Sequence, residues 1–230
     1  MSTEVLPPTK NQEEDVPFYK TVKRSFRDVR IEGGVRTDEF CEACDAVIQF
    51  FDLFNNAAFS VVQNDLSSKI AVRSFHPWYL DNPLKEASPL SQKVRERLAA
   101  NPQTSETLEQ ILIDEKQENA PFATGALTWL LRSLKFTSLG LRLNMANQKE
   151  ELSTSMTKAY DQTLRPYHGF MIRPLFRLAM NVCPYRAKFY PSLGEPEDVV
   201  MQELDQWLAG LEVILGRMTE FYKVGSYGSI

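Results

Sequence analysis

Apolar residues recur at helical spacing along most of the chain, and no strand-like alternation runs far enough to define a strand. Phe18, Val22 and Phe26 begin a first amphipathic helix over residues 16–30, closed by Gly33 and Gly34. Thr37 is placed as the N-cap of a helix whose apolar side carries Ala43, Val47, Phe50, Phe51 and Phe54. A helix over residues 57–75 follows, then a proline-rich loop over 76–91 holding Trp78. Shorter helices are expected over 90–100 and 104–117, the second capped by Thr104 or Ser105. Pro121 opens a long helix to residue 146, and Ser153 opens the next, broken near Pro166. The last two helices run over 167–182 and, after Pro191 and Pro196, over 197–222. About eight helices without a repeat or a break in composition predict an all-α single domain. Residues 1–15, polar and acidic, read as a flexible tail ahead of a domain over 16–230.

Composition narrows the class. At 230 residues, with 43% hydrophobic and 24% charged side chains, the chain can bury a sizeable core and is not disordered. A net charge of −4 argues against a nucleic-acid partner held by bulk positive charge. No apolar run reaches the ~18 residues needed to cross a bilayer. Cys41, Cys44 and Cys183 are too few for a disulfide scaffold, so a reducing, cytoplasmic compartment is expected. Cys41 and Cys44 share a CxxC spacing inside a helix, without a second pair to complete a zinc site. With only His76 and His168, a histidine-rich metal centre is excluded, and neither metal nor cofactor is expected. No phosphate loop, nucleophile elbow or HExxH motif is present. The chain does not read as an enzyme.

Polar groups on an apolar stripe carry more information. With Asp65 at zero on the 57–75 helix and ~100° per residue, Ala58, Val61, Val62 and Val72 fall within about 60° of it. Lys69 falls on the same stripe, while Gln63, Asn64, Ser67 and Ser68 gather opposite. The pair is either an i,i+4 ion pair at the rim of the core, worth ~0.2–0.5 kcal/mol, or the lining of a ligand cavity. Trp129 lies on a long helix that is apolar on two faces, with Gly125 leaving room beside the indole; core packing and ligand contact are both open for it. His168, in Tyr167-His168-Gly169-Phe170, is a core histidine or a binding group.

Three runs taken in order resemble one family: Phe50-Phe51-Asp52 with Asn64-Asp65-Leu66-Ser67-Ser68-Lys69-Ile70, then Thr128-Trp129-Leu130-Leu131-Arg132-Ser133-Leu134, then Lys158-Ala159-Tyr160 with Tyr167-His168-Gly169. Their order and separations are similar to the glycolipid transfer protein family, over about residues 16–227. The resemblance implies a two-layer helical sandwich that encloses the chains of one sphingolipid and carries it between membranes. It implies a headgroup centre of Asp65, Lys69, Trp129 and His168, with Arg73 nearby and Tyr227 as a further contact. Asp65 would accept from the sphingoid amide, His168 would donate to its carbonyl, Lys69 would donate to headgroup oxygens, and Trp129 would lay its indole against the first sugar.

The departures bear on the headgroup. Lys69 stands where glycolipid-type members carry asparagine, as in the ceramide-1-phosphate branch. That branch, however, has arginines matching Gly125 and Trp129, and a phosphate monoester wants several cationic donors. A neutral sugar is therefore the expected headgroup, with ceramide-1-phosphate transfer or sensing as the alternative and a helical protein-interaction domain as a second. Phe50, Phe51, Phe54, Leu130, Leu134, Leu164 and Phe176 are expected along the lipid chains. Phe170, Met171 and Ile172 with Arg173, and Trp78 from the proline-rich loop, are the expected membrane-docking groups. The expected partners are a sphingolipid and, transiently, the cytosolic face of a membrane, reached by a monomer.

Overall fold

The structure is a computed structural model that describes residues 16–52 and 90–230, with only the backbone of Phe51 and Asp52. The expected helix over 57–75, and with it Phe54, Asp65, Lys69, Arg73 and Trp78, lies outside the described residues, as does the 1–15 tail. Among the described residues the secondary structure is helical, apart from one isolated antiparallel bridge between Arg36 and Thr107. No helix among them is long and apolar enough to cross a membrane.

The first expected helix is not continuous. One turn, α1 (Phe18–Thr21), leads through an extended Val22 to a 3-10 turn at Phe26–Asp28. The reason is tertiary. The 3-10 turn lies directly on Gly210, where a β-carbon would overlap the backbone of Phe26 and Arg27. This close approach seats Phe26 against Trp207 and Phe40, with ring centroids 5.1 and 6.3 Å away. Gly33 and Gly34 then take positive φ, and Gly34 presses on Thr107, so they form a turn against a neighbouring loop rather than a helix end.

Helix α2 (Thr37–Asp52) begins at Thr37 rather than being capped by it, and the buried Thr37 hydroxyl has no partner. Its inner face buries Phe40, Ala43, Cys44, Val47 and Phe50. Helices α3 (Leu90–Ala100) and α4 (Leu108–Glu118) follow. Thr107, not Thr104 or Ser105, caps α4, in a reciprocal capping box with Gln110. Helix α5 (Thr124–Ala146) buries side chains on nearly all sides, including Leu127, Leu131, Leu134, Phe136 and Leu141, and is the centre of the fold. It packs against α3, α6 (Leu152–Gln162) and α9 (Glu197–Gly225), and Gly140 lets Met156 and Ala159 of α6 approach closely. Between α6 and α9 come a 3-10 turn (Arg165–Tyr167), α7 (Arg173–Asn181) and α8 (Arg186–Ser192). Helix α8 occupies a stretch expected to be a break, with Pro191 in its last turn. The architecture is an all-α two-layer sandwich.

The start of α5 is fixed from outside. The buried Glu115 carboxylate on α4 accepts the amides of Phe122, Ala123 and Thr124 at 2.8–3.0 Å and the Thr124 hydroxyl at 2.6 Å. Four donors that would be orphaned at a helix entrance are thus satisfied by one anion, placed at the positive end of the helix dipole.

Candidate functional site

Helix α5 carries Trp129 one and a half turns from this anchored end, so the Glu115 contact sets the indole's height in the fold. Helix α6 carries Tyr160 and ends at Gln162, with Thr163 as its C-cap. Pro166 turns the chain through the 3-10 segment and delivers His168 in an extended conformation. Helix α7, opened by Pro174, brings up Phe176.

These side chains form one cluster. The indole of Trp129 and the imidazole of His168 stack at 5.6 Å and 19°. The Phe176 ring lies 4.4 Å from the imidazole and stacks on Tyr160 at 5.1 Å. The Tyr160 hydroxyl and His168 Nδ1 share a hydrogen bond of 3.3 Å, and Arg173 Nε donates to the His168 carbonyl at 2.9 Å. The expected pair Trp129 and His168 are therefore together, with Phe176, expected further along the lipid chains, directly beneath them.

Burial pushes the His168 imidazole down to about 4, and the guanidinium groups of Arg173 and Arg132 act in the same direction. At pH 7 the ring is neutral, with one N–H to donate and one lone pair to accept. Unfolded histidine takes its proton near 6.5, so between about pH 6.5 and 4 the unfolded chain binds more protons than the native one. Stability should be complete above that window and fall by about 3 kcal/mol as pH drops through it. Urea melts of the wild type and His168→Gln at stepped pH check this. Their stability difference should shift by that amount between pH 7 and 4, and a constant difference refutes it.

Other expected residues fall into place unevenly. Phe50, Leu134 and Leu164 are buried, and Leu130 is half-buried against the same core. Phe50 also lines a cavity of about 140 Å³ with Phe18, Leu193, Leu204 and Trp207, rimmed by Lys23, Arg27, Asp28 and Glu203. Phe170 and Met171 are 82% and 70% exposed. Ile172 is a correction: at 1% exposure it is not a surface group, because the turn into α7 folds it under the helix. Leu178 and Tyr185, not among the expected docking groups, are exposed as well. Tyr227 stands apart from the cluster, stacked on Phe221 at 5.5 Å with the Lys116 ammonium 4.8 Å from its ring.

Sequence reasoning missed Arg132, whose guanidinium lies 3.6 Å from the Tyr167 ring and 5.0 Å from that of Trp129. Its place one turn after Trp129 was the available signal. Among the described residues no group of metal-type ligands gathers. Burial raises the Cys41 thiol to about 12 and Cys44 well above its usual value, so neither is a ready thiolate.

A two-layer helical body, with an aromatic–imidazole cluster on its central helix and an exposed apolar turn beside it, defines a helical domain of the lipid-carrier class. The family model described as Glycolipid transfer protein matches residues 35–78 and 85–195. A glycolipid transfer protein of Aureobasidium melanogenum is 38% identical over 205 residues, covering 89% of this chain and 92% of the relative. The crystal structure of a fungal glycolipid transfer protein, HET-C2, superposes with a TM-score of 0.74 at 33% identity, over 90% of this chain and 96% of the other. The pleckstrin homology domain-containing family A member 8 of Mus musculus is 28% identical over 94% of this chain, which spans only 41% of that relative. The chain belongs to the glycolipid transfer protein family.

Proposed function

We propose that the protein extracts a single glycosphingolipid from one membrane and carries it to another without chemical change. The observation that carries this reading is the Trp129–His168 stack on the central helix of a family member. A neutral imidazole that donates to an amide carbonyl and an indole beside it suit the boundary between a ceramide and its first sugar. Asp65 and Lys69, outside the described residues, complete the centre as acceptor and donor.

The task is solubility. Each CH₂ kept out of water is worth ~0.8 kcal/mol, so two long chains crossing the aqueous phase unprotected face a barrier of tens of kcal/mol. On this reading Phe50, Leu134 and Leu164 are the apolar lining of the chains, and Phe50 also borders the cavity it shares with Trp207. Docking uses Phe170 and Met171 with Arg173 and Arg177 behind them, an apolar tip with cations suited to a brief stay at a membrane surface. The protein acts as a monomer at cytosolic membrane faces.

Ceramide-1-phosphate is the second reading, favoured by the Arg132 guanidinium beside Trp129. It is the weaker one, because Nε and Nη2 of Arg132 are both committed to the Ser229 carbonyl. Native mass spectrometry after incubation with vesicles of phosphatidylcholine, galactosylceramide and ceramide-1-phosphate tests both. One galactosylceramide per chain is expected. Ceramide-1-phosphate alone selects the second reading, and an empty protein overturns the carrier.

Trp129→Ala should weaken uptake of galactosylceramide about fivefold more than uptake of ceramide, the worth of one ring-face contact near 1 kcal/mol. Competition between the two lipids measures it. Equal losses would remove the indole from sugar recognition.

A further inference from the structure

Arg132 is held in an unusual way. Nε and Nη2 both donate to one backbone carbonyl, that of Ser229, at 3.1 and 2.7 Å. The Tyr167 hydroxyl donates to the Ser229 hydroxyl at 3.0 Å, and Lys135, one turn along α5, donates to the Ile230 carbonyl at 2.9 Å. Ile230 is itself buried, so residues 226–230 are seated on α5 rather than lying loose. Among the described residues Arg132 makes no ion pair, and its guanidinium lies instead against two aromatic rings, 3.6 Å from that of Tyr167 and 5.0 Å from that of Trp129. Tyr167 in turn meets the Trp129 indole edge-on at 6.5 Å. A chain of contacts thus runs from Ser229 through Arg132 and Tyr167 to the indole, and from the indole to His168.

A guanidinium whose two donors converge on one backbone carbonyl oxygen is held in a narrow range of orientations, and a ring packed against it inherits the constraint. An arginine held only by a carboxylate on a flexible side chain would not transmit it. We propose that Arg132 is a positioning residue that fixes the plane of the Trp129 indole, and that residues 226–230 set Arg132 through the Ser229 carbonyl. Its consequence for cargo rests on the carrier reading above. With the indole fixed, a sugar meets a ready platform and no side chain has to be ordered at binding. With Arg132 gone, the indole keeps His168 but gains freedom, and the loss falls on lipids that carry a sugar. Lysine does not replace the device, because an ammonium lacks both the planar fork and the stacking face.

The test uses the full chain labelled with 5-fluorotryptophan. Three fluorine signals are expected from the three tryptophans, and Trp129→Phe assigns the one that matters. Arg132→Gln should shift or broaden the Trp129 signal, leave the Trp207 signal in place, and lower the ratio of galactosylceramide to ceramide uptake about threefold. Arg132→Lys should recover the signal and the ratio only in part, and it carries the test alone if the glutamine variant does not fold. An unmoved Trp129 signal overturns the proposal. So does an equal loss for both lipids, which is what a purely structural arginine would produce. If the wild type takes up no galactosylceramide the carrier reading fails, while the fluorine signal still decides whether Arg132 positions the indole.

Discussion

Replacing Glu115 by alanine should lower the thermal midpoint by roughly 10 °C, the largest loss of stability expected from a single polar side chain here. The carboxylate is 1% exposed and satisfies three backbone amides and a hydroxyl at the start of α5. Alanine leaves those donors without a partner in a place water does not reach. It also leaves Arg97, whose Nε lies 3.7 Å from the carboxylate, with one anion fewer. Removing one partner from such a buried charged network costs about 3–5 kcal/mol. Glu115→Gln keeps one acceptor oxygen and should lose about half as much. Melting followed by circular dichroism decides the matter, and a shift under about 3 °C would show that the amides find other acceptors. Because α5 carries Trp129, the same variant should also loosen the Trp129–His168 stack before it unfolds.

Asp65→Val should do the opposite: melting and helicity nearly unchanged, lipid extraction reduced to background. Asp65 lies outside the described residues, and its place in the sequence pattern motivates the expectation. On the helix that the sequence predicts over 57–75, a carboxylate on the apolar stripe would carry a cost of withdrawal from water, and a lipid amide is the donor that would justify it. A hydrogen bond to a charged group contributes about 1.5–3 kcal/mol, up to roughly a hundredfold in affinity. Valine fits the stripe and should not disturb packing. Transfer between donor and acceptor vesicles, run beside a thermal melt, separates the alternatives. A large fall in melting temperature with extraction intact would make Asp65 and Lys69 a structural ion pair instead.

The fold class was legible because α5 is apolar on two faces, and only a central helix tolerates that. The pairing of Trp129 with His168 was also legible, through the order of three short runs, although nothing in either stretch shows that the rings stack. Local signals were misread where a better one stood nearby. Thr107 and Gln110 have the spacing of a capping box, yet the expected cap was Thr104 or Ser105. Elsewhere the cause was not local at all. The 16–30 stretch has helical periodicity but is laid across Gly210, and Ile172 follows two exposed apolar residues, Phe170 and Met171, yet the turn tucks it inward. Arg132 depends on Ser229, 97 residues away, and no periodicity reports a contact over that distance.

The uncharged state of His168 has a bearing on where cargo can be delivered. Since the ring resists protonation until about pH 4, mild acidity leaves its hydrogen-bonding pattern unaltered. Through this residue, then, a modest proton gradient supplies no trigger for unloading. On the carrier reading, the imidazole should hold its lipid in the same way at organelles whose surroundings differ modestly in acidity.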